Sequence, residues 1–199
     1  MATRSQSKLD LEICLEKLEL PGRAVLRESA HVLNATLIWP RMGIAKRSWE
    51  CEVRLKKGLC DKSAAPWHEK ILFRETTEGH FALQLDLTVS LTRIQLRTWR
   101  RQLMGYVTKA AGELADDVGF AGELAEAPLK VASKEFLAKK EPELYATGAV
   151  DLNAADFAEA SQAPVLVEIP LGSALDITKL TRRFKDLPVI GKANVSIQP

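Results

Sequence analysis

Apolar and polar residues alternate through much of the first ninety positions. In residues 9–16, Leu9, Leu11, Ile13 and Leu15 are separated by Asp10, Glu12 and Cys14, with Glu16 following. Trp49, Cys51, Val53 and Leu55 alternate with Glu50, Glu52, Arg54 and Lys56. Phe81, Leu83, Leu85, Leu87 and Val89 alternate with Ala82, Gln84, Asp86, Thr88 and Ser90. A period of two buries one face of a strand and wets the other, which predicts antiparallel strands rather than βαβ units. Residues 34–40 and 69–76 complete a set of five strands. Thr77-Glu78-Gly79 predicts a tight turn that joins the last two as a hairpin.

The period then changes. From 92 to 118 there is no proline, and Leu96, Trp99, Leu103, Tyr106, Val107, Ala110 and Leu114 recur at three-and-four spacing. That spacing puts them on one stripe of an amphipathic helix, with Thr92 as its N-cap. Gly119 and Gly122 interrupt it. Pro128 opens a second helix through Lys140, whose buried face is Leu129, Ala132, Phe136 and Leu137, and Pro142 ends the block. Alternation returns at 144–152, at 165–171 with Pro164 and Pro170 (prolines that suit an edge strand), and at 193–197. Residues 180–184 read as one helical turn. The chain is thus expected to be mainly β with an α insertion. Eight antiparallel strands form a β-sandwich from 8–90 and 143–199, and the insertion spans 91–142.

Local signals in this layout resemble a C2 domain. The strand of Leu9, Leu11, Ile13 and Leu15, followed by Leu18 and Leu20, looks like that family's opening. Ala65-Pro66-Trp67-His68-Glu69, then Ile71 and Phe73, looks like its proline–aromatic–polar–glutamate strand start. Leu83-Leu85-Leu87-Val89 and Gly148-Ala149-Val150-Asp151-Leu152 resemble two later strands. Pro66 abuts Trp67 without the usual intervening residue, and residues 30–35 lack the first calcium loop's Ser-Asp-Pro-Tyr element. Ser90 stands where an aspartate of the third calcium loop falls. The resemblance therefore implies a calcium-independent C2-like sandwich.

Composition narrows the chemistry. With 199 residues, 46% of them hydrophobic, the chain can build a core without disulfide or metal staples. A formal charge of +2 carries no nucleic-acid signature. No secretory signal opens the sequence and no run of about 18 apolar residues occurs, so a cytoplasmic location is expected. Cys14, Cys51 and Cys60 form no Cys-x-x-Cys pair and read as reduced, small hydrophobes. Calcium needs several convergent carboxylates, whereas Asp61, Asp86, Asp151, Asp156, Asp176 and Asp186 are scattered and Asp116-Asp117 diverge on a helix. Cys60 and His68, separated by a proline-containing loop, read as loop residues, and His31 and His80 stand alone. No nucleophile elbow and no phosphate-cradling glycine loop occurs. No metal, cofactor or catalytic residue is therefore nominated. Trp39, Trp49 and Trp99 are expected in the core and Trp67 at the surface.

One charge pattern points to a surface. Residues 91–112 carry five basic side chains and no acid, whereas Glu113, Asp116, Asp117, Glu123 and Glu126 follow with no base before 127. Bases early and acids late oppose the dipole of a continuous helix, so local stability does not account for the order. Arg93, Arg97, Arg100 and Arg101 flank the apolar stripe. Such a helix can dock on a protein partner or lie on an anionic membrane surface, or its arginines can pair with the acids of 113–126. The function expected first is a non-catalytic protein-binding adaptor or assembly module. A peripheral membrane-binding module is the alternative, and an enzyme with dispersed catalytic residues is third.

Overall fold

The computed structural model describes residues 8–21, 28–39, 45–101, 144–158, 163–174 and 188–199. These hold nine strands: β1 (Leu9–Glu19), β2 (Ser29–Trp39), β3 (Ala45–Leu55), β4 (Leu59–Asp61), β5 (Ile71–Thr77), β6 (His80–Thr88), β7 (Leu144–Asn153), β8 (Val165–Ser173) and β9 (Val189–Gln198). Two four-residue helical pieces, α1 (Trp67–Lys70) and α3 (Ala155–Ala158), accompany them. Between these lies α2, described over 93–101. The remaining helical assignments (102–118, 128–140 and the turn at 180–184) lie outside the described residues, as do the acids of 113–126.

All pairings are antiparallel, in the order β3-β2-β6-β7-β8-β9-β1-β4, with β5 sharing an edge of β1 with β4. A single bridge, Lys56 to Leu59, links β3 back to β4, so the sheet nearly closes into a barrel. Pairing is uneven around it. β2 and β3 are registered along their whole length, from Ser29↔Leu55 to Trp39↔Ala45. By contrast, β7 and β8 pair only at Ala146↔Ser173 and Thr147↔Gly172. At that thin joint a Cβ on Gly148 would lie 2.3 Å from the carbonyl oxygen of Pro170, so only glycine lets the two backbones approach this closely.

Alternation accounts for the core. Leu33, Ala35 and Leu37 of β2 and Phe81, Leu83, Leu85 and Leu87 of β6 are buried, while the residues between them face the other side. In β1 the alternation changes phase. The register steps from Leu15↔Val195 to Lys17↔Asn194, a bulge that makes Glu16 the extra residue. Leu18 and Leu20 thereby join Leu11, Ile13 and Leu15 in the core, and Lys17 and Glu19 turn outward.

Three expectations change. The hairpin at Thr77-Glu78-Gly79 is not one. Gly79 does turn the chain, with φ 65°, but β5 pairs with β1 whereas β6 pairs with β2 and β7. The strand expected at 69–76 begins at Ile71, because Trp67–Lys70 closes a helical turn after Pro66. The ninth strand, β4, escapes a periodicity argument because it has three residues. It exists because Lys57 (φ 54°) and Gly58 (φ 78°) are both left-handed, the geometry of a two-residue type I′ hairpin turn, with Lys56 and Leu59 exchanging backbone hydrogen bonds at 2.9 and 3.1 Å.

Candidate functional site

Helix α2 grows directly out of the sheet. The Leu91 N–H donates to the Ala30 carbonyl at 2.8 Å, which fixes the chain beside the start of β2. Thr92 is the N-cap the sequence predicts, in a capping box. The Gln95 N–H donates to Thr92 Oγ1 at 3.3 Å, and the Thr92 N–H donates to Gln95 Oε1 at 2.9 Å. Two adjacent residues then hold the helix on the outer face of β3. Trp99, 6% exposed, donates its indole N–H to Glu50 Oε2 at 3.4 Å. Arg100 places Nε and Nη2 at 2.8 and 2.6 Å from Glu52 Oε2.

These two acids, adjacent outward positions on one strand, differ in character. Burial pushes the Glu50 carboxyl above its ordinary range, and the bond from Trp99 only partly offsets this. Burial also works against the Glu52 carboxylate, but hydrogen bonds from Arg54 and Arg100 outweigh it and hold the carboxyl below its ordinary range. Arg54 in turn reaches Glu28 at 3.6 Å, so a chain of ion pairs runs from α2 across β3 to the start of β2.

The sequence groups four arginines, and the structure divides them. Arg100 belongs to the seam with β3; its partner is Glu52, an acid of a distant strand and not one of those in 113–126. Arg93, Arg97 and Arg101 are exposed, and among the described residues none of the three forms an ion pair. At about 100° per residue, three positions four apart form one ridge, roughly opposite Trp99. Ile94 shares that outward face and is 79% exposed. Where α2 leaves the sheet, a groove of about 370 Å³ opens between Ala30, Leu91, Leu96 and Arg93, with Glu28 and Arg54 at its side.

A second polar cluster was not legible in the sequence. Glu12, only 8% exposed, accepts bonds from the Trp67 indole, from Arg74 Nη2 at 3.1 Å and from Gln198 Nε2 at 3.0 Å. Arg74 also lies 5.1 Å from the centre of the Trp67 ring. Four residues further on, Glu16 accepts from Lys70 at 3.1 Å and from Ser196 at 2.6 Å. With these bonds made, the cluster ties α1, β5 and β9 to β1. The signal that could have found it is the row of acids on the wet face of β1, which needs cations from other strands.

The remaining candidates are dispersed. Cys60 is buried in β4, whereas His68 is exposed beside Glu69. His31 is fully buried at the start of β2. Its Nδ1 donates to the Thr88 carbonyl at 2.9 Å and its Nε2 meets Ser29 Oγ at 2.9 Å. Asp86 accepts from Thr147 at 2.6 Å and Gln84 at 2.8 Å, and Asp61 accepts from Ser63. Asp176, Asp186, Asp116 and Asp117 lie outside the described residues. Burial, then the nearby charge of Glu12, raises the Cys14 thiol to about 11; burial likewise raises Cys51 to about 11. Among the described residues no three His, Cys, Asp or Glu side chains are grouped to hold a metal, and no helix is long and apolar enough to cross a membrane. No protein-family model matches this chain, and no curated protein matches it.

Proposed function

We propose that this chain is a non-catalytic protein-binding module, an adaptor or assembly part built on a calcium-independent C2-like sandwich, with α2 as its docking element. One observation carries the reading: α2 is fixed to β3 through Trp99 and Arg100, and its other side meets no partner among the described residues. Trp99 and Arg100 secure it to Glu50 and Glu52, while Arg93, Arg97, Arg101 and Ile94 face solvent. A rigidly seated helix loses little freedom on binding, which favours affinity. The sandwich half of the reading draws support from the uneven pairing. β3-β2-β6-β7 and β8-β9-β1, with β4 and β5 on β1, are each well paired, and among the described residues only two residue pairs join them on one side and one bridge, at β4, on the other.

The test is the double variant Arg97→Glu/Arg101→Glu. Neither side chain forms an ion pair among the described residues, and exposed charges are worth about 0–1 kcal/mol, so its melt should match the parent's. Its salt-sensitive association with a partner, measured by quantitative cross-linking in the native cell, should fall. An unchanged set of cross-links sinks the reading, and millimolar calcium should alter neither result. A second reading, a peripheral membrane module, is favoured by Ile94 standing exposed among arginines, as an interfacial helix requires. Co-sedimentation with anionic vesicles that fades with salt would select it.

A further inference from the structure

The ridge and the groove of α2 are continuous, and together they specify what can bind. Arg93, Arg97 and Arg101 recur every four residues, so their Cα atoms are spaced about 6 Å apart along the helix axis. Carboxylates four apart on a helix or two apart on an extended strand repeat at a closely similar distance. Each guanidinium presents a planar fork of donors that matches a carboxylate. Arg93 joins the two, as the first member of the ridge and as part of the groove wall. The groove wall is apolar at Ala30, Leu91 and Leu96, and the one acid beside it, Glu28, is already paired with Arg54 at 3.6 Å. An incoming apolar side chain therefore meets Ala30, Leu91 and Leu96 in a groove that Ser29 and Ser90 also line, and an incoming carboxylate meets arginines that form no ion pair among the described residues.

Resting on the module reading above, we infer that the occupant is an acidic peptide segment of another protein. It presents one large apolar side chain to the groove and carboxylates at four-residue or two-residue spacing to Arg93, Arg97 and Arg101. Ile94, exposed beside the ridge, packs on the aliphatic parts of that segment. Specificity comes from order: the apolar residue lies at the Arg93 end of the row of acids, because Arg93 lines the groove.

The probe is a fluorescent peptide of about twelve residues with one leucine next to three glutamates spaced four apart, titrated by anisotropy against the whole chain. Saturable binding is expected, weakening about tenfold or more from low to high salt. A similar loss is expected for Arg97→Glu/Arg101→Glu and for a peptide with serine in place of its leucine. The anchor is altered on the peptide, so a folding defect cannot imitate the result. A peptide that fails to bind, binds the double variant equally, or binds as well without its leucine overturns the inference. Capture by phosphatidylserine vesicles with no peptide binding also overturns it, in favour of lipid. If the peptide fails but cross-links to a protein partner still depend on Arg97 and Arg101, this inference falls and the module reading stands.

Discussion

Leu85→Ala tests the architecture most directly. Leu85 is fully buried in β6, in the well-paired stretch β3-β2-β6-β7. Its two cross-strand partners are Ala35 in β2 and Gly148 in β7, the smallest side chains available. Among these three register neighbours the leucine is the only large side chain, and neither partner has atoms that could swing into the space it leaves. Truncation of buried leucines costs about 2–5 kcal/mol, with the larger values at sites that cannot collapse. The small flanking residues place this site in the upper half, about 4 kcal/mol. For a chain of this length each kcal/mol lowers Tm by about 2–4 °C, so the shift should be roughly 8–16 °C. Urea denaturation should show a lower midpoint at unchanged slope, since the exposed surface is the same. Leu85→Met, which keeps most of the volume, should lose less than about 1.5 kcal/mol. An alanine variant within about 1 kcal/mol of the parent would refute the inward assignment of β6 and with it the register to Ala35 and Gly148.

Gly148→Ala should cost about 1–3 kcal/mol by chemical denaturation, because its methyl group meets the Pro170 carbonyl and the thin β7–β8 joint must open to admit it; an unchanged midpoint would mean that the joint yields freely. Glu50→Gln should raise stability at pH 7. A carboxyl whose folded value lies above its unfolded one binds more protons in the folded state, so stability falls as pH rises from the unfolded value to the raised folded one. Urea midpoints from pH 4 to 8 should lose that decline in the variant, and a retained decline would assign it to another group. Cys14, with its thiol raised to about 11, has only about a thousandth of its population as thiolate at pH 8. Iodoacetamide should therefore modify it slowly in the native chain and fast in urea, a contrast that mass spectrometry of the modified peptide would reveal.

Alternation by itself determines where most of the longer strands lie and which of their faces are buried. Period-two alternation in 81–89 and 49–55 is a backbone property, so Leu83, Leu85 and Val53 could be assigned inward without a fold. Thr92 as N-cap was legible for the same reason, since a capping box is local. What alternation cannot carry is partner choice, because every strand offers the same donors and acceptors on both edges. The turn at Gly79 is therefore locally indistinguishable from a hairpin turn, and only the closing of the sheet sends β5 to β1 and β6 to β2. The bulge at Glu16 is likewise invisible until β9 supplies the register against which it is an extra residue. The arginines of 93–101 show the same division. Their spacing on a helix follows from the sequence, but which of them are free depends on Glu52, almost fifty residues away. That acid takes Arg100, while Arg93, Arg97 and Arg101 stay exposed, Arg97 and Arg101 because they lie roughly opposite the buried Trp99 on the helix.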